Sequence, residues 1–233
     1  MNYKAQITCV WVGLFGGILI GIGQFSLMHY MPPISAALSA AQIADYLRVH
    51  HTQFLAGCIL LQLGYAGVIF MCAPLAVLIM KMESPSRLWT YLFLMSTAIA
   101  YVASFLAYAL YAAAAFRPDR PAEITLALND VANLTYVGIV APALPQFGSL
   151  GLAILGDRNA TRIFPRWVGY LNIWTAIGSM PSAFICFFYH KPFSWDGFVG
   201  FWIPVGIFFI WVPVMIIYTI KALRRLMREE AAA

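Results

Sequence analysis

The chain has 233 residues, of which 62% are hydrophobic and 10% charged, and a formal net charge of +5. A soluble domain holds about 45–50% apolar and about 25% charged residues, so charges are too few here to cover a water-facing surface, and lipid must cover it instead. The basic excess sits at the ends of apolar runs, with no basic patch interleaved with aromatics, which excludes nucleic acid as a partner.

A helix that crosses the hydrocarbon core needs about 20 mostly apolar residues. Six stretches qualify, at about 7–29, 52–80, 88–115, 127–155, 167–189 and 197–220. Together they fill residues 1–233 as a single transmembrane domain, an all-α bundle of six transmembrane helices. With the N-terminus cytoplasmic, ten basic residues (Lys4, Lys81, Arg87, Arg158, Arg162, Arg166, Lys221, Arg224, Arg225 and Arg228) face the cytoplasm. Four (Arg48, Arg117, Arg120 and Lys191) face outward. That bias fits the positive-inside rule and puts both termini in the cytoplasm. The first run is too long for a signal-peptide core and reads as a retained span.

In span 1, Gly13, Gly17 and Gly21 recur four residues apart and offer a close-approach face, either to a helix of the same chain or to a homo- or hetero-oligomer partner. After it, Pro32 and Pro33 stop the helix, and Ser39 with Gln42 makes a capping-box pattern. Ile43, Leu47 and Arg48 then predict a short interfacial helix between spans 1 and 2. Cys9, Cys58, Cys72 and Cys186 all fall in spans without a CxxC pair and read as structural thiols.

Spans 3 and 5 carry polar stripes at helical spacing. In span 3 they are Thr97, Tyr101, Ser104, Tyr108 and Tyr111; in span 5, Asn172, Thr175, Ser179, Ser182, Cys186 and Tyr189. Lipid cannot satisfy hydroxyls and amides, so both stripes should face the bundle interior, as interhelical glue or as the lining of a polar cavity. Ahead of span 4, Pro121 and Glu123 suit a helix start. Asn129 and Asp130 should then lie in the outer interface, with Asn133 and Tyr136 continuing the same face inward. Pro142, Pro145, Pro181, Pro204 and Pro213 predict kinks or breaks.

His29, His50, His51 and His190 all fall at the outer level, near Asp130 and Asp196. No HExxH or HxxxH spacing joins them into a metal site. No nucleophile, nucleotide-binding or haem pattern appears, so no motif indicates a cofactor. No lysine lies inside a span.

The segments "AAFRPDRPAEITLALNDVANL", "ILGDRNATRIFPRWVGYLNIW" and "KPFSWDGFVGFW" resemble an uncharacterised family of bacterial polytopic integral membrane proteins. That family shares FRPxR before LND, then FPRWxGY and PFxWxG. The matching positions include Arg117, Arg120, Asn129, Asp130, Phe164, Arg166, Trp167, Trp195 and Gly197. The last motif reads PFSWDG where the family has PFAWNG, so Asp196 departs from it. The resemblance implies a multi-span bacterial membrane protein and no particular activity.

The sequence points to a membrane protein that binds or passes a small apolar molecule through a cavity open to the outer leaflet. The candidate ligand-binding residues are Asp130, Asn129, Asn133, Tyr136, Tyr101, Tyr108 and Asn172. An intramembrane enzyme using Asp130 with the outer histidines, and an accessory subunit of a membrane complex, are the alternatives.

Overall fold

The computed structural model describes residues 2–232; Met1 and Ala233, the ends of the expected domain, lie outside the described residues. Its regular elements are all helical. Helix α1 (Tyr3–Gly21) runs on into a π-helical turn, Ile22–Leu27. Helices α2 (Ala40–Val49), α3 (His51–Met82) and α4 (Leu88–Ala115) follow. Helix α5 (Ala122–Asn133) passes through a second π-helical turn, Leu134–Gly138, towards α6 (Ala143–Leu155). Helix α7 (Arg166–Gly178) continues as the 3-10 helix Met180–Phe187. A third π-helical turn, Phe198–Trp202, opens α8 (Ile203–Ala232).

Five segments are long and apolar enough to cross a membrane: Tyr3–Leu27, His51–Met82, Leu88–Ala115, Ala122–Leu155 and Phe198–Ala232. This is the build of a multi-pass membrane protein. The remaining expected span, 167–189, is divided between α7, of 13 residues, and the 3-10 helix, of 8. Pro181 supplies no amide hydrogen for an α-helical ladder, and the chain changes its winding at Ser179. The change also redirects the polar stripe. Asn172, Thr175, Ser179 and Ser182 are buried as expected, whereas Cys186 and Tyr189 are exposed. At about three residues per turn the inward face recurs every third residue, so Ile185, not Cys186, follows Ser182 into the interior.

The helices pack in a ring: α1 on α3, α3 on α4, α4 on α6, α6 on α7, α7 on α8, and α8 back on α1. Glycine sets the α1–α3 crossing. A Cβ on Gly16 would fall on the Gly64 carbonyl oxygen, and one on Gly67 would stand 2.9 Å from the Gly16 Cα. Gly13 is equally tight, at 2.6 Å from the Met71 Cβ, whereas Gly17 and Gly21 meet nothing within 4 Å. The expected three-glycine face is therefore split. Four-residue steps drift about 40° each around a helix with 3.6 residues per turn, so only Gly13 keeps to the α3 side, where Gly16 joins it.

Helix α2 forms with both bonds of the Ser39–Gln42 capping box in place. Its Ile43, Ala44 and Leu47 are buried, while Asp45 and Arg48 pair with each other at 3.1 Å on the exposed side. At the other end of α4, the Arg120 guanidinium donates to the Ala113 carbonyl at 2.8 Å and closes the helix.

Candidate functional site

Where α4, α5 and the π-helical turns Ile22–Leu27 and Leu134–Gly138 meet, tyrosines and side-chain amides form a buried network. A π-helical turn inserts one extra residue and re-aims the side chains that follow it, and such turns recur at functional sites. Here one turn presents Gln24 and another presents Tyr136, and the Gln24 Nε2 donates to the Tyr136 hydroxyl. The same amide lies 3.5 Å from the Tyr108 hydroxyl on α4.

Two asparagines on successive turns of α5 extend the network. The Tyr111 hydroxyl donates to Asn133 Oδ1 at 2.9 Å, and the Asn133 Nδ2 donates to the Tyr30 hydroxyl at 3.0 Å. Tyr30 in turn donates to Asn129 Oδ1 at 2.8 Å. Asn129 and Asn133 are at most 1% exposed. The Asn129 Nδ2 is buried and, among the described residues, has no hydrogen-bond partner. An unpaired buried donor costs about 1–3 kcal/mol, which makes this amide the one group of the network that still calls for an acceptor.

Aromatic contacts carry the network along the bundle. Tyr111 meets Tyr30 at a ring separation of 5.1 Å, Tyr108 meets Tyr136 at 5.4 Å, and Tyr65 meets Tyr108 at 5.5 Å and Tyr101 at 5.9 Å. Tyr101 ends the series, with its hydroxyl 3.5 Å from the Cys72 Sγ. Beside Tyr136 the backbone of the fourth expected span is unwound between Gly138 and Ala143, where Pro142 withholds an amide hydrogen.

Of the seven ligand-binding candidates, Asn129, Asn133, Tyr136, Tyr108 and Tyr101 lie in or along this network. Asn172 lies elsewhere. It accepts from the Trp211 Nε1 at 2.8 Å and donates to the Val168 carbonyl at 2.8 Å, clamping α7 to α8 with its amide satisfied. Asp130, next to Asn129, is half-buried, and its carboxylate makes no hydrogen bond or ion pair among the described residues. Tyr30, Gln24 and Tyr65 are members that periodicity did not single out. Tyr30 follows the end of the first span, and Gln24 and Tyr65 belong to no extended polar stripe in their apolar runs. The usable signal was Gln24 itself, since an amide within a span is costly unless it is paired inside the bundle.

Among the histidines, His29 and His50 meet edge to face at 5.8 Å, and His50 also contacts Tyr46 at 4.7 Å. His190 is exposed. Among the described residues no group of three or more His, Cys, Asp or Glu side chains could hold a metal ion. The Trp195 indole donates to the Ile34 carbonyl at 2.8 Å, and the buried Ser194 hydroxyl donates to the Asp196 carboxylate, so the PFSWDG segment is anchored against the connection after the first helix.

No protein-family model, no curated protein and no solved structure matches the chain.

Proposed function

We propose that the protein is a six-span bacterial inner-membrane protein that binds or passes a small, largely apolar molecule carrying one hydrogen-bond acceptor, through the tyrosine–amide network near the outer leaflet. The observation that carries this reading is the unpartnered, fully buried Nδ2 of Asn129, set among the aromatic rings of Tyr30, Tyr111 and their neighbours. Aromatic faces suit an apolar body, and a single oriented donor suits an acceptor atom. The two π-helical turns and the unwound stretch before Ala143 support it further, because irregular backbone within a membrane bundle is tolerated where it lines a site.

The six-span architecture rests on length and charge. Helix α7 extends about 20 Å and the 3-10 helix about 16 Å, by their rises per residue, against a hydrocarbon core of about 30 Å. With that crossing included, ten basic residues lie on the cytoplasmic side and four on the outer side, and α2 lies in the outer interface beside the network. Asp130 then stands at its outer rim.

Untargeted mass spectrometry of molecules released from gently purified protein tests the reading. A small apolar compound should be recovered with the native chain and lost with Asn129→Leu at equal protein yield. Recovery of the same compound from both chains would refute the role of Asn129, and recovery of lipid and detergent only would refute the binding function.

A further inference from the structure

At the opposite end of the bundle, a cleft of about 400 Å³ opens between the Arg162–Arg166 segment and α8. Four cations line it: Arg162, Arg166, Lys221 and Arg225. Arg225 is committed, donating from Nη2 to the Arg162 carbonyl at 2.8 Å and pairing through Nε with Glu229 at 3.4 Å. That is the only ion pair these four make among the described residues. Among the described residues, three positive charges therefore share one cleft with no ion pair of their own. Helix α7 begins at Arg166, and the partial positive charge of its N-terminus adds to theirs.

The cleft is built in advance of any ligand. The buried Asp157 carboxylate accepts from the amides of Asn159 at 2.9 Å and Ile163 at 2.8 Å, which fixes the loop that carries Arg162. Asn159 also donates to the Lys81 carbonyl at 3.2 Å, tying that loop to the end of α3. Lys221 stands over the Tyr218 ring at 5.1 Å, and Trp167 packs edge-on against the same ring at 5.3 Å. The cations thus sit beside apolar walls, Phe164 and Ala222 within the cleft and Trp167 at its side.

We infer that this cleft binds a phosphate group, carried by an anionic phospholipid. The phosphate oxygens accept from the guanidinium groups of Arg162 and Arg166, whose planar forks match them, and from the Lys221 ammonium. The acyl chains run past Trp167 and Tyr218. A cationic recess between membrane helices is suited to such a head group, and the adjoining aromatics suit the glycerol and upper-chain region.

The test uses the full chain in nonionic detergent at fixed ionic strength, titrated separately with phosphatidylglycerol, phosphatidylcholine and inorganic phosphate. Binding is read by native mass spectrometry and by the unfolding midpoint. Phosphatidylglycerol should bind and phosphatidylcholine should not. The double substitution Arg166→Gln with Lys221→Gln should weaken phosphatidylglycerol binding by about ten-fold or more. The charge-matched pair Arg224→Gln with Arg228→Gln, outside the cleft lining, should change it less than about two-fold. If the first double variant does not fold, Arg162→Gln alone should give the same direction of loss. Binding of inorganic phosphate alongside phosphatidylglycerol supports the phosphate cleft and shows that the chains are not required, whereas a response to phosphatidylglycerol alone supports the lipid as its source. Binding of inorganic phosphate without phosphatidylglycerol overturns the lipid. Equal weakening by both charge-matched double variants, or equal binding of phosphatidylglycerol and phosphatidylcholine, overturns the site.

Discussion

Asn133 accepts from Tyr111 and donates to Tyr30 and to the carbonyl of Asn129, so one amide ties α4, α5 and the segment after the first helix together. Asn133→Leu would leave the buried Tyr111 hydroxyl without its acceptor and take from Tyr30 the donor it accepts, while Tyr30 keeps its bond to Asn129. The expected cost is about 2 kcal/mol, measured as a lowered unfolding midpoint in detergent. Asp130→Asn should stay within about 0.5 kcal/mol, because the Asp130 carboxylate has no partner to lose among the described residues. Equal losses from the two substitutions would mean that the network does not organise this end of the bundle. At this scale the sequence was partly legible. Asn129, Asn133, Tyr136 and Tyr108 follow from helical spacing, which needs only the period of the chain. Tyr30 and Gln24 reach the site through a π-helical turn and a non-helical bend, and neither preserves that period.

At the scale of elements, α1 and α3 approach through Gly13 and Gly16 against Gly64, Gly67 and Met71. Gly16→Ile should therefore destabilise the fold by about 3 kcal/mol or more, as overpacking against backbone has no room to relax. Gly17→Ile should leave the stability of the isolated chain unchanged, since a Cβ there would meet no other helix within 4 Å. Thermal unfolding of both variants checks the contrast, and a Gly17→Ile penalty as large as that of Gly16→Ile would contradict the helix orientation. The start of α4 gives a pH-dependent test. The Glu83 carboxylate accepts from the amides of Trp89 and Thr90, both at 2.9 Å, and from the Thr90 hydroxyl. Burial alone would push its pKa up, but the hydrogen bonds from Thr90 and Trp89 outweigh it and hold the carboxyl below the usual glutamate value of 4.5. A group with a lowered folded-state pKa contributes its stability above the unfolded value and loses it as the pH falls through the folded one. Glu83→Gln should thus cost about 1 kcal/mol at neutral pH, and the gap should shrink as the pH drops below 4.5. A pH-independent gap would refute the capping role. Most elements could be read from apolar run length, and residues 88–115 agree end to end with α4. The 167–189 run could not, because composition does not distinguish an α-helix from a 3-10 helix of the same residues.

For the whole molecule, the closed ring of helices uses α7 as one of its members, between α6 and α8, and the 3-10 extension packs on the Leu134–Gly138 and Phe198–Trp202 turns. The network's proposed position near the outer leaflet rests on the charge bias, and that bias depends on residues 166–187 crossing the bilayer, since that crossing decides whether the two ends of the chain lie on the same side. The sequence argued for it by charge bias, and the ring packing adds a structural reason. The direct test is a reporter active only in the cytoplasm, fused in turn before Met1, within the 117–121 loop and after Ala233. Six crossings predict signal from both terminal fusions and none from the loop. Signal from only one terminus would mean an odd number of crossings and would contradict the account.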